Sequence, residues 1–140
     1  MKEDNVNQPL ITPKLVTLDA DLGISPSDVI GQLAARIADS GRATDAAAVA
    51  EAAVAREAKA GTGVNGRVAI PHCRSAAVTE PTLAFARLSN PVDFNGPDGD
   101  AELVFLIAAP EGGGKAHLKI LSKLARACLL YTSDAADDSL

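Results

Sequence analysis

The uninterrupted apolar run Leu103–Ala109 constrains the fold of this 140-residue chain more than any other feature. A transmembrane helix needs roughly 20 apolar residues, so this run is far too short to cross a bilayer. Apolar side chains at every position, rather than at every second one, are typical of a strand that is buried on both faces. We therefore predict a continuously buried strand over Leu103–Ala108.

A capped amphipathic helix is predicted from Pro26 to about Ser40. Ser25 is a favourable N-cap residue, proline is common at the first helical position, and Asp28 follows the cap at the spacing of a capping box. Gly41 can adopt the left-handed conformation that ends many helices. The apolar residues of this segment recur at helical spacing and form one side, namely Val29, Ile30, Leu33, Ile37 and Ala38.

Further helices and strands alternate along the chain. The alanine-rich segment Asp45–Lys59 predicts a second helix, because alanine has the highest helix propensity, and Gly61–Gly66 ends it. The remaining predicted elements are strands at Leu15–Leu18, Val68–Ile70 and Leu83–Leu88, a loop or hairpin within Asn90–Asp100, and a final amphipathic helix from Lys115. Together they predict an α/β fold, a single-domain layered sandwich with a mixed, mostly parallel sheet flanked by helices.

The length fits one domain with its own core. We assign residues 10–130 to this domain, residues 1–9 to a loose lead-in, and residues 131–140 to an unrelated polar, acidic tail. The 13 basic and 18 acidic residues give a net charge of −5, which argues against nucleic acid as a partner. Two cysteines far apart and no secretory pattern at the first residue lead us to expect a cytoplasmic protein without direct membrane insertion.

Two glycine-containing strings resemble nucleotide-binding motifs without their structural context. Gly61–Gly66 has the spacing of a dinucleotide fingerprint, but that motif follows a strand and opens a helix, and here the order is reversed. Gly114 and Lys115 lack the upstream glycine and the following hydroxyl residue of a phosphate-binding loop. We interpret these glycines as turn residues and predict no nucleotide cofactor.

The two histidines are the strongest candidates for chemistry. His72 follows Pro71 at the predicted end of a strand, and His117 lies in the first turn of the predicted final helix, where free backbone donors favour an anion such as phosphate. Taken alone, either residue could be structural. Zinc binding with Cys73 and Cys128, or a Cys73 thiolate beside His72, are further alternatives, although no metal-binding spacing is present and adjacent side chains point apart.

The segment from Arg56-Glu57 through the glycine loop to the string GRVAIPHCRS, residues 66–75, resembles a family signature. It is similar to the fructose and mannitol class of enzyme IIA, the phosphocarrier domains of the bacterial phosphoenolpyruvate-dependent sugar phosphotransferase system. The likeness extends from about Leu15 to Leu129 and includes the strand Leu103–Pro110 and the His117 helix.

This resemblance implies that His72, in the Ala69-Ile70-Pro71-His72 segment, is the phosphorylated residue. Arg56 and His117 match the residues that line the phosphohistidine and stabilise its charge, while Arg74 and Ser75 rank second. The implied reaction passes a phosphoryl group from phospho-HPr to the histidine and then to a cysteine of enzyme IIB, which serves the membrane enzyme IIC. It needs neither a nucleotide nor a metal.

Two points of the resemblance stay open. A nitrogen-type regulatory IIA protein, whose phosphorylation controls binding to other proteins, is the alternative function. Family members continue beyond the final helix with closing secondary structure, so the change of character at residue 131 leads us to expect a C-terminally incomplete domain.

Overall fold

The computed structural model describes residues 12–113. The predicted final helix, His117, Cys128, the lead-in and the acidic tail therefore lie outside the described residues. Within residues 12–113, no helix has the length and apolar character needed to cross a membrane.

Both predicted helices in this part of the chain are confirmed. Helix α1 spans Pro26–Asp39 and helix α2 spans Ala46–Lys59. The Ser25 hydroxyl accepts a hydrogen bond from the backbone N–H of Asp28, and Gly41 has the left-handed φ of +84° after α1. The Asp28 carboxylate in turn accepts from the backbone N–H of Ile24, one residue before the cap, so the reciprocal bond of a capping box is displaced by one position.

The described strands form one mixed sheet. They are β1 Val16–Ala20, β2 Gly63–Val64, β3 Val68–Ala69, β4 His72–Ser75, β5 Thr82–Val92 and β6 Ala101–Pro110. Their order is β1-β5-β6-β3-β2, and β4 also pairs with β6. The pairs β1–β5, β3–β6 and β4–β6 are parallel, whereas β5–β6 and β2–β3 are antiparallel. The α/β layered fold predicted from the sequence is confirmed.

Strand β6 is the centre of the sheet and is buried on both faces, as its sequence predicts. Val104, Leu106 and Ala108 belong to the core cluster that contains the apolar sides of α1 and α2. Phe105 and Ile107 belong to a second cluster on the opposite face. This alternation between two apolar clusters explains why the segment Val104–Ala109 of β6 contains no polar side chain.

Strand β5 extends further than predicted. The sequence places a loop from Asn90, but β5 continues to Val92 and includes Pro91. Its pairing with β1 ends at Leu88, and its register with β6 shifts between Arg87 and Val92. Pro91 therefore lies beyond the residues of β5 that pair with β1. Because no backbone N–H is needed there for pairing with β1, proline does not interrupt the strand.

Strand β3 ends before Pro71, as the sequence predicts, but the chain re-enters the sheet as β4 directly after Pro71, which the sequence did not predict. Val68 in β3 pairs with Leu103, and His72 in β4 pairs with Ile107, which is the same register on the same edge of β6. The backbone N–H of Ile107 donates to the Pro71 carbonyl at 2.9 Å. Strand β6 therefore binds the chain between the end of β3 and the start of β4 as well. His72 thus begins a strand segment instead of following the last one.

Candidate functional site

The main site candidate is a pocket of about 170 Å³ beside the break between β3 and β4. It brings together the carboxyl end of α2, the glycine loop and the first residue of β4. Its lining residues are Arg56, Gly61, Thr62, Gly63, Val64, Ile70 and His72. Two of the three predicted site residues, Arg56 and His72, therefore meet at one pocket, and the third, His117, lies outside the described residues.

His72 is half-buried and is oriented by the backbone two residues before it. Its Nδ1 lies 3.1 Å from the carbonyl oxygen of Ile70. A carbonyl oxygen can only accept, so in the neutral ring this contact requires the proton to be on Nδ1. The lone pair is then on Nε2, which makes Nε2 the nucleophilic nitrogen of this side chain.

Arg56 brings a permanent positive charge to the same pocket. Its Nη1 donates to the carbonyl oxygen of Ala60 at 2.8 Å, across the carboxyl end of α2. The contact satisfies a carbonyl that the helix leaves unpaired, and it also fixes the guanidinium in place. A guanidinium has five N–H donors, so one anchored nitrogen leaves donors for a planar or tetrahedral anion.

The glycine loop is held by contacts that sequence reasoning did not predict. Glu57 accepts two hydrogen bonds from Thr62, one from the backbone N–H and one from the hydroxyl, both at 2.8 Å. Gly63 lies so close to Gly96 that a Cβ added to Gly63 would be 2.5 Å from the Gly96 backbone. Gly63, interpreted above as a turn residue, therefore lies in β2 and serves close packing, whereas Gly66 has the positive φ of a turn glycine. No sequence signal pointed to Thr62, because its contacts with Glu57 form only in the folded chain.

Cys73 takes no part in this pocket. It is buried in the helix-side core cluster, and burial raises the pKa of its thiol to about 11. His72 pairs with Ile107 of the opposite cluster, so the two neighbouring side chains point to opposite faces, as predicted. Among residues 12–113, no group of three or more histidine, cysteine or acidic residues could hold a metal ion.

Arg74 and Ser75 differ in their surroundings. Arg74 is half-buried and lies two positions after His72, hence on the same face of β4. Ser75 is buried, and its hydroxyl accepts from the backbone N–H of Ala77 at 3.1 Å. Ser75 therefore stabilises the turn after β4, and neither Arg74 nor Ser75 lines the pocket.

The pocket thus places a half-buried histidine, whose Nδ1 contacts the backbone, beside an arginine on an α/β scaffold, an arrangement chemically suited to binding an anion. The family described as "Phosphoenolpyruvate-dependent sugar phosphotransferase system, EIIA 2" matches residues 9–131. The chain belongs to this EIIA family, whose members are phosphotransfer proteins.

The relatives include a sugar-specific component and nitrogen regulatory proteins. A "PTS system fructose-specific EIIA component" of Haloferax volcanii is 44% identical over 92 residues, covering 65% of this chain and 60% of that protein. A "Nitrogen regulatory protein" of Pseudomonas aeruginosa is 35% identical over 116 residues, covering 82% of this chain and 74% of that protein. The crystal structure of nitrogen regulatory protein IIA-Ntr from Neisseria meningitidis superposes with a TM-score of 0.72 at 34% identity, covering 83% of this chain and 79% of that one.

Proposed function

We propose that this protein is a phosphocarrier in which Nε2 of His72 accepts a phosphoryl group from the phosphohistidine of HPr. The observation that carries this proposal is the contact between His72 Nδ1 and the Ile70 carbonyl, in a pocket shared with Arg56. In the neutral ring this contact keeps the proton on Nδ1 and leaves the lone pair of Nε2 available for attack.

The proposed step breaks one P–N bond and forms another. The lone pair of His72 Nε2 attacks the phosphorus, and the nitrogen of the HPr histidine leaves with the electron pair of the old bond. Nδ1 of His72 keeps its proton throughout, and the Ile70 carbonyl stabilises the positive charge that the phosphorylated ring acquires. Because the transition state of phosphoryl transfer is loose, alignment and electrostatic stabilisation supply most of the catalysis.

The transferred group carries close to two negative charges, which Arg56 can stabilise through charge-assisted hydrogen bonds. We assign the same task to His117, which we expect to reach the phosphoryl group from the start of the final helix. We predict that replacing His117 by alanine slows transfer without unfolding the protein, as measured by the rate of phosphoryl acceptance. An unchanged rate would remove His117 from the site.

In the second proposed step, the thiolate of a cysteine on a fructose-type enzyme IIB attacks the phosphorus, and Nε2 of His72 leaves with its electron pair. The phosphoryl group then serves sugar uptake through the membrane enzyme IIC, with this protein acting in the cytoplasm. Similarity to the fructose-specific component of Haloferax volcanii supports this assignment.

A nitrogen-type regulatory role is the second candidate, supported by the relatives from Pseudomonas aeruginosa and Neisseria meningitidis. Both functions use His72 and differ in the acceptor. Incubation with phosphoenolpyruvate, enzyme I, HPr and a fructose-type enzyme IIB separates them. We expect phosphate on the IIB cysteine. Phosphate that stays on this protein with IIB present would favour the regulatory role.

A further inference from the structure

Glu57 is connected to His72 through three successive contacts. Its carboxylate accepts from both the backbone N–H and the hydroxyl of Thr62, each at 2.8 Å. The Thr62 carbonyl accepts from the backbone N–H of Ile70 at 3.1 Å, and the Ile70 carbonyl accepts from His72 Nδ1 at 3.1 Å. The carboxylate is thus linked to the imidazole without touching it.

The middle of this path is held from two sides. On one side Thr62 binds the N–H of Ile70, and on the other side the N–H of Ile107 in β6 binds the Pro71 carbonyl at 2.9 Å. The direction of the Ile70 carbonyl, which lies between these two bonds, depends on both of them. Strand β6 is a fixed element of the core, whereas Thr62 belongs to a loop that Glu57 anchors.

We propose that Glu57 is a positioning residue for His72: by fixing Thr62, it orients the Ile70 carbonyl that keeps the proton on Nδ1 and the lone pair on Nε2. This inference rests on the proposed phosphocarrier function. It assigns to the acidic residue next to Arg56 a task that differs in kind from the charge stabilisation by Arg56 itself.

If Glu57 acted only through its charge, removing it would change the transfer rate in the opposite direction. A carboxylate close to a site that accepts a doubly negative group repels that group, so removing its charge would speed transfer if charge were its only effect. A positioning carboxylate is needed for the ring orientation, so its removal slows transfer. Glu57→Gln separates the two roles, because glutamine keeps the size, loses the charge, and has one acceptor oxygen for the two Thr62 donors.

The test compares Glu57→Gln with Glu51→Gln, a matched change of an exposed glutamate on the same helix α2. Nitrogen-15 NMR of the histidine rings measures the tautomer of His72. Rapid-quench assays with excess phospho-HPr measure the maximal rate of phosphoryl acceptance per molecule (kcat) and the phospho-HPr concentration that gives half this rate (KM). For Glu57→Gln we expect a larger share of the Nε2–H tautomer. We also expect kcat to fall to about one tenth of the parental value or below, with KM for phospho-HPr unchanged. Glu51→Gln should match the parent in all three quantities.

A Glu57→Gln protein with the parental tautomer, or with a kcat at or above that of the parent, would overturn the proposal. If this variant does not fold by circular dichroism, Thr62→Val replaces it, since valine removes the hydroxyl contact alone. Thr62→Val should then shift the tautomer in the same direction, and no shift would also overturn the proposal. A parent protein that accepts no phosphate would refute the proposed function, whereas the tautomer measurement would still report on Glu57.

Discussion

Nδ1 of His72 lies 3.1 Å from the carbonyl oxygen of Ile70, across the break that Pro71 makes between β3 and β4. The break is what allows this contact. Pro71 has no N–H to give to a neighbouring strand, and its own carbonyl is bound by β6, so the chain stays in register while the Ile70 carbonyl is free to meet the ring. A proline directly before the histidine therefore contributes to the orientation of the His72 ring.

Arg56 should be needed for transfer through both its charge and its shape. We expect Arg56→Ala to lower the rate of phosphoryl acceptance from phospho-HPr by about a hundredfold, the usual cost of losing one preorganised donor. The rate of Arg56→Lys should lie between those of the parent and Arg56→Ala. An ammonium keeps the charge but cannot bind both the Ala60 carbonyl and a phosphoryl group through one planar fork. Lys59→Ala, an exposed basic residue on α2, is the control. Parental rates in Arg56→Ala would contradict this role.

Gly63 should tolerate no side chain. In Gly63→Ala the new methyl group would be 2.5 Å from the Gly96 backbone, so the loop beside His72 must move. We expect a loss of about 1–3 kcal/mol in the free energy of unfolding, together with slower transfer. The matched control is Gly31→Ala inside α1, where nothing lies within 4 Å of the added Cβ and where alanine should raise stability by up to about 1 kcal/mol. Chemical denaturation checks both values, and equal stability changes at the two sites would refute the packing argument.

The Cys73 thiol should cause the free energy of unfolding to fall as the pH rises into the alkaline range. Burial raises its pKa from 9.0 to about 11, so the unfolded chain loses the thiol proton at lower pH than the folded protein does. The stabilising effect is complete below pH 9 and is lost as the pH rises toward 11, with a total of about 2–3 kcal/mol. Urea unfolding at pH 8 and pH 10.5 measures the loss in the parent and in Cys73→Ala. The parent should lose more, and an equal loss in both proteins would show that Cys73 does not contribute.

Local sequence signals predicted the helices well because their determinants are local. The Ser25 cap is satisfied three residues further on, and Gly41 supplies its own left-handed turn. The end of β3 before Pro71 was predicted, but the start of β4 directly after it was not, because the position of β4 depends on a bond from Ile107, which is distant in sequence.

In the candidate site, too, some residues could be predicted from the sequence, whereas others depend on contacts between distant parts of the chain. His72 and Arg56 could be named from a sequence pattern, and they do line one pocket. Thr62 could not be found in this way, because its importance comes from contacts with Glu57 and Ile70 that exist only in the folded chain. The glycine spacing matched a dinucleotide motif that the order of elements excluded, and the turn interpretation of Gly63 missed its close approach to Gly96, which only the folded chain shows.

The most direct test of the central claim is to locate the phosphoryl group after incubation with phosphoenolpyruvate, enzyme I and HPr. Nitrogen-15 and phosphorus-31 NMR of the labelled protein would identify the phosphorylated nitrogen, and His72→Ala would be treated in parallel. We predict one phosphoryl group on Nε2 of His72 and no acid-labile phosphate in His72→Ala. Equal phosphate in His72→Ala, or phosphate on Nδ1 of His72, would contradict the account.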